Sequence, residues 1–296
     1  MVTQAPFIKL NNGVEMPALG LGVYLSSPQE TVSAVASAIQ SGYSLIDTAK
    51  AYHNEAQVGE ALAESDVPRA DMFITTKLFN GDYGFESTLK AFDESLKKLK
   101  LDYLDLYLLH WPTKNWEATL HSYKALEKLY AEGRVRAIGV CNFMEDQLEA
   151  LISQADVVPA VNQVELHPYF AQKSLVAFNK AHDITTEAWS PIGGVKNYGN
   201  WNNYGGSKDP LNESAVTAIA RAKDKSPAQV ILRWHYQNGI VAIPKSVNAG
   251  RIAENINVFD FSLSQSEMLQ LDHLDAGLRA GPHPKDVDTT SFSELA

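Results

Sequence analysis

Four side chains in this sequence would make a proton donor if the fold brought them together. Asp47 and Tyr52 lie in LIDTAKAYHNE (45–55), Lys77 in MFITTKL (72–78) and His110 in YLDLYLLHW (103–111). A phenol is a poor acid at neutral pH because its ordinary pKa is ~10. A neighbouring ammonium favours the phenolate, so Lys77 is expected to lower that value and ease proton release. Asp47 would hold Lys77 charged, and His110 offers a nitrogen to orient an incoming carbonyl oxygen. Such a group stabilises alkoxide character as a hydride arrives. Taken singly, each residue reads equally well as a satisfied polar group beside a loop.

What must position them is a repeating rhythm of a short apolar run, a polar residue and an amphipathic segment. Eight runs read as strands: 18–24, 43–49, 72–78, 103–111, 135–143, 159–166, 183–190 and 239–246. They are short and rich in β-branched and aromatic residues. Between them, Leu89, Phe92, Leu96 and Leu99 recur at helical spacing, as do Leu120, Tyr123, Leu126 and Leu129. Strands alternating with helices imply parallel pairing, and eight such units predict a closed (β/α)8 TIM barrel, with an open doubly wound sheet as the alternative. The chain is expected to form one domain over 1–296. Outside the rhythm, 7–17 reads as an N-terminal β-hairpin turning at Asn12-Gly13. The stretch 191–210 is a Gly- and Asn-rich loop, Ser264–Leu274 an extra C-terminal helix and 277–296 a covering C-terminal tail.

In a barrel of this kind chemistry gathers where strands run into the following loops. Those ends carry Tyr24, Asp47, Lys77, His110, Asn142, Gln163, Trp189 with Ser190, and Lys245 with Ser246. After the last strand, Lys245, Ser246 and Arg251 supply two positive charges and a hydroxyl, suited to a phosphate monoester, and Arg251 can stack on an adenine face. The GLG at 20–22 is no dinucleotide fingerprint, because Leu25 stands where G-x-G-x-x-G needs glycine.

Composition narrows the classes. With 296 residues, 45% hydrophobic and 20% charged, the chain is ordinary for a folded protein of this size. A formal net charge of −10 argues against a general nucleic-acid or anionic-membrane surface but leaves room for a local basic pocket. The single cysteine, Cys141, excludes an intramolecular disulfide and fits a reducing cytoplasm. The N-terminus lacks a signal-peptide pattern, and no apolar run approaches the ~18–20 residues of a membrane span. His53 and His167 have no metal-site spacing, and a metal-dependent hydrolase would need more strand-end ligands than Asp47 and His110.

The motifs LGLGVY, DTAKAYHNE, FITTKL, DLYLLHWP, AIGVCNF, NQVELHP and IPKSVNAGRIAENI, in this order, resemble those of the aldo-keto reductases along nearly the whole chain. Small bacterial members such as 2,5-diketo-D-gluconate reductases are similar in appearance. The resemblance implies reversible hydride transfer between NADPH and an aldehyde, ketone or keto sugar. It assigns Tyr52 as general acid, Lys77 as its modulator, Asp47 as the partner of Lys77, and His110 as the group orienting the carbonyl. Asn142 and Gln163 match the partners of the nicotinamide carboxamide, Trp189 the ring stacked on the nicotinamide, and Ser190 a neighbour of the pyrophosphate. Cys141 replaces a serine, and a thiol is the weaker hydrogen-bonding partner. The run Lys245, Ser246, Val247, Asn248 and Arg251 matches the 2′-phosphate site, with Glu254 and Asn255 near the adenine. Asn248 stands where relatives often carry threonine. Tyr24, Phe79 and Trp111 match positions lining the substrate pocket. Residues 191–210 would fold over the pyrophosphate, although their composition suits disorder equally. Lys50 is read as a solvent-facing residue, the alternative being a contact to a substrate carboxylate. The expected protein is a monomer acting on a small-molecule carbonyl compound. A non-catalytic, cofactor-sensing barrel subunit is the competing reading.

Overall fold

The computed structural model describes residues 4–193 and 209–292. Its strands are β1 (Phe7–Lys9), β2 (Glu15–Pro17), β3 (Gly20–Gly22), β4 (Leu45–Asp47), β5 (Phe73–Leu78), β6 (Leu104–Leu109), β7 (Val135–Cys141), β8 (Val161–Glu165), β9 (Thr185–Trp189) and β10 (Val241–Ala242). From β3 to β10 each strand pairs in parallel with the next. The ring is closed by bridges Leu19 to Ala242 and Gly22 to Lys245. All eight expected strands are present, and the open-sheet alternative fails because first and last strands meet.

The helices are α1 (Pro28–Gln40), α2 (Glu55–Ala63), α3 (Phe85–Leu99), α4 (Trp116–Ala131), α5 (Glu145–Ile152), α6 (Lys173–Ala181), α7 (Ser214–Lys223), α8 (Pro227–Gln237), α9 (Ala249–Asn255) and α10 (Gln265–Asp272). Phe92, Leu96 and Leu99 on α3, and Tyr123, Leu126 and Leu129 on α4, are buried against the barrel, as their three- and four-residue spacing requires. The extra C-terminal helix is α10, started by Ser264 and Glu267 in a reciprocal capping box.

Period-two alternation explains the barrel interior. On β4, Leu45 and Asp47 point inward while Ile46 joins the outer core. Leu45, Phe73, Leu106, Ala137 and Val161 form a lower apolar layer, and Leu10 and Met16 of the N-terminal hairpin pack beneath it. The hairpin pairs Phe7 with Pro17 and Lys9 with Glu15, and its turn places Gly13 at φ +87, which glycine alone adopts without strain. With the floor sealed, the next interior layer is polar. Register sets Cys141 beside Gln163 and Gln163 beside Glu187 on successive strands.

The tail from 277 to 292 runs along the barrel's C-terminal rim. Ala280 and Gly281 donate backbone N–H groups to the buried Glu165 carboxylate at 2.7 and 2.9 Å. Lys114 donates its N–H to the Val287 carbonyl, and Asn80 its side-chain amide to the Asp288 carbonyl. Of the loop 191–210, residues 194–208 lie outside the described residues.

Candidate active site

At the C-terminal mouth the four residues converge. Lys77 Nζ lies 2.5 Å from Asp47 Oδ1, 2.9 Å from the Thr48 carbonyl and 3.3 Å from the Tyr52 hydroxyl. Asp47 and Lys77 project inward from β4 and β5 and are buried. Tyr52 comes from the single 3-10 turn Lys50–Tyr52 that follows β4. Its ring meets His110 edge-on at 5.7 Å and Tyr24 edge-on at 4.9 Å.

The electrostatics differ from the sequence expectation at Tyr52. Its phenol is held well above the ordinary value, first by burial and then by the charge of Asp47. Lys77 does not lower it, because Asp47 at 2.5 Å already compensates the ammonium and burial disfavours the phenolate. Tyr52 therefore stores its proton. Burial pulls the Asp47 carboxyl up against the pull of Lys77 and Gln163. Burial and then the Lys77 charge hold His110 well below its ordinary value, leaving a neutral imidazole at physiological pH. Its Nδ1 has no hydrogen-bond partner.

Around this group, Gln163 Nε2 donates to Asp47 Oδ2 at 2.8 Å. Trp189 Nε1 donates to Asn142 Oδ1 at 2.8 Å, and Asn142 Nδ2 to the His110 carbonyl at 3.1 Å. Asn142 and Ser190 adopt left-handed backbone conformations, φ 64 and 50, a strain that gathers at functional sites. Cys141 is fully buried, and burial pushes its thiol up, the state of an inert cysteine.

Phe79 and Trp111 are buried at the ends of β5 and β6. Trp111 also faces Phe292 of the tail at 5.7 Å. Lys245, Val247, Arg251 and Glu254 are exposed, Ser246 is half-buried and Asn255 is buried. They stand apart from the proton-donating group, where α9 opens beside the end of β3. Asn248 has a different task from a cofactor contact: its Oδ1 accepts the Arg251 N–H at 3.0 Å and caps α9.

Lys50 does not point to solvent. Its Nζ pairs with Asp82 at 2.9 Å and Glu94 at 3.0 Å. Burial opposes its charge, but these carboxylates raise its pKa overall. A lysine in a loop gives no sign of partners so far along the chain.

Three participants escaped the sequence reading. Glu187 is fully buried on β9 and accepts from the same Gln163 Nε2 that serves Asp47, at 2.8 Å. The signal was available, since Trp189 had been placed at the mouth and a residue two positions earlier shares its face. Glu165 anchors the tail at Ala280 and Gly281, and a Cβ on Gly281 would fall 2.6 Å from the Trp189 ring. Phe292 reaches Trp111 from outside any quoted motif.

A model described as the Aldo/keto reductase family matches residues 18–276. The chain is 66% identical over 295 residues to morphine 6-dehydrogenase of Pseudomonas putida, covering 100% of both chains. It is 47% identical over 281 residues to glyoxal reductase of Bacillus subtilis (strain 168), covering 95% of this chain and 96% of the relative. A crystal structure of a Bombyx mori aldo-keto reductase in complex with NADP superposes with TM-score 0.87 at 35% identity, covering 98% of this chain and 97% of that one. A barrel with a Lys-paired tyrosine at its mouth and relatives of this likeness along its full length leave one assignment: the chain belongs to the aldo/keto reductase family.

Proposed function

We propose that this oxidoreductase interconverts a carbonyl compound and its alcohol with NADPH as hydride donor, an activity on CH–OH donors, with Tyr52 as the general acid. The observation that carries the reading is the Lys77 ammonium, 2.5 Å from Asp47 and 3.3 Å from the Tyr52 hydroxyl at an aromatic-walled mouth. The fit to the cofactor rests on groups with capacity to spare. The exposed charges of Lys245 and Arg251 and the Ser246 hydroxyl suit the 2′-phosphate. Gln163 Oε1 and Asn142 suit the carboxamide, and the Trp189 ring offers a stacking face. Bound NADPH supplies the hydride and nothing else.

The chain's own residues do the rest. His110, neutral, donates to the carbonyl oxygen and sets its position; neutral imidazole is a donor from one nitrogen only. As negative charge gathers on that oxygen, Tyr52 releases its stored proton to it. The nascent phenolate is met by Lys77 at 3.3 Å, so its charge forms beside a fixed cation. Asp47 keeps Lys77 protonated and aimed. Tyr24, Phe79 and Trp111 exclude water and favour apolar substituents, which supports aldehydes, ketones and keto sugars as substrates. Relatives named for an alcohol dehydrogenase and for a dicarbonyl reductase support both directions. All these groups come from one chain, which supports a monomer and a single domain, and a lone buried cysteine suits the cytoplasm. We take residues 191–210 to cover the cofactor.

The test is NADPH oxidation with a panel of aldehydes, diketones, keto sugars and keto acids, beside Tyr52→Phe. We expect turnover by the parent and a loss of roughly 100-fold or more in the variant, the scale of a general acid, with NADPH affinity within a few-fold. Tight NADPH binding without turnover of any substrate would instead favour the non-catalytic barrel. A folded variant that loses affinity and activity together would remove Tyr52 from the proton-donor role.

A further inference from the structure

Glu187 is a carboxyl the proton-transfer group does not require, yet it stands in its midst. It has no exposed surface, and Gln163 Nε2 is its hydrogen-bond donor at 2.8 Å. The same nitrogen donates to Asp47 Oδ2, also at 2.8 Å. An amide nitrogen has two hydrogens, so both are committed to carboxyl groups. The amide cannot flip without setting its oxygen against Asp47, which leaves Oε1 as the one Gln163 group available to a ligand. Glu187 Oε1 is buried without a hydrogen-bond partner.

Charge counting adds a second point. Lys77, Asp47 and Gln163 lie around Glu187 from β5, β4 and β8, with Cys141 of β7 and the Tyr52 phenol within electrostatic range. Its partner on β10, Val241, is apolar. One cation compensates one carboxylate, and Asp47 holds that cation at 2.5 Å. A second carboxylate would leave an uncompensated charge in a dry interior, which proteins avoid by keeping the proton.

We propose that Glu187 is a proton-carrying positioning residue beneath the nicotinamide site: protonated, it locks the Gln163 amide with its oxygen towards the cofactor; ionised, it places a negative charge there that favours the cationic, oxidised nicotinamide. The inference rests on the NADPH reading above. Burial, then the charge of Asp47, raises the Glu187 carboxyl from its ordinary 4.5 to about 8, so the change falls at mildly alkaline pH, with the proton released to bulk water.

Two measurements on the full chain test it, each with Glu187→Gln, which keeps an acceptor for Gln163 but cannot ionise. In equilibrium titrations with NADP+ and with NADPH, the parent's preference for NADP+ should rise on the order of tenfold between pH 6.5 and 9, the size of one charge acting over several ångströms in a protein interior. The variant should show no such rise. Without cofactor, a folded-state value of about 8 against 4.5 unfolded means that Glu187's contribution to stability is full below 4.5 and lost as pH rises through 8. The melting temperature of the variant should therefore gain on the parent's as pH rises from 5 to 9. If the variant does not fold, the parent alone decides by infrared spectroscopy: a protonated carboxyl band present at pH 6.5 should vanish by pH 9. Its absence at pH 6.5, or a preference between cofactor forms that does not move with pH, overturns the role of Glu187. Failure of the parent to bind either cofactor form overturns the functional reading and this inference with it, while the melting and infrared arms still report whether Glu187 carries a proton.

Discussion

Tyr52 illustrates how far a side chain's chemistry depends on neighbours that a linear sequence does not display. The meeting of Asp47, Lys77 and His110 was readable, because each ends an apolar strand and barrel strands deliver their ends to one mouth. The sign of the Tyr52 shift was not. Sequence places an ammonium near the phenol, but only the 2.5 Å contact to Asp47 reveals that its charge is already compensated. Glu187 was missed for a related reason: a carboxylate within a short strand reads as a solvent-facing residue until register turns it inward. Arg251 carries a prediction at this scale. Its exposed guanidinium at the start of α9 is expected to meet the phosphate that distinguishes NADPH from NADH. Arg251→Ala should weaken NADPH roughly 10- to 100-fold, as loss of a charge-assisted hydrogen bond does, and NADH by no more than a few-fold. Fluorescence titration of both cofactors checks this, and equal weakening of the two would count against the assignment.

Among the elements, strands and long helices were readable because they obey a period, and turns were harder because partners across space decide them. The turn Lys50–Tyr52 has no side-chain cap. What ties it down is Lys50, which reaches Asp82 in the turn after β5 and Glu94 on α3. The residue that looked like a bystander thus fastens the turn presenting Tyr52. Both pairs are partly exposed, so together they are worth about 1 kcal/mol or less. Lys50→Met should lower stability by no more than that and should not change the ratio of kcat/KM for a keto acid to that for a neutral ketone of similar shape. A selective loss with the keto acid would mean that Lys50 leaves its carboxylates to bind substrate. The same logic explains Asn248: its motif pointed to the cofactor, yet the first need of α9 is a cap for its unpaired N–H groups.

For the whole molecule, the buried titratable groups pull stability in opposite directions along the pH scale. His235 on α8 is enclosed by protein and bonds through Nε2 to the Pro191 carbonyl at 2.8 Å, which pins the chain just after β9. Because a carbonyl only accepts, Nε2 carries the proton and the ring is neutral. Burial lowers His235 from 6.5 to about 4, and His110 is lowered as well. A depressed histidine contributes stability that is present above its unfolded value of 6.5 and is lost as pH falls through the folded value; for His235 this amounts to roughly 3 kcal/mol. Glu187 works the other way, losing its contribution as pH rises from 4.5 through 8. Below pH 6.5 two histidines outweigh one carboxyl, and above it the carboxyl acts alone, so these three groups favour maximum stability near pH 6.5. His235→Gln keeps a donor for Pro191 but takes up no proton in acid. Its melting temperature, at or below the parent's at pH 7, should overtake or approach the parent's by pH 4.5, while His110 continues to drive the remaining acid loss. Parallel melting curves for the two proteins across that range would show that His235 is not held neutral by the fold.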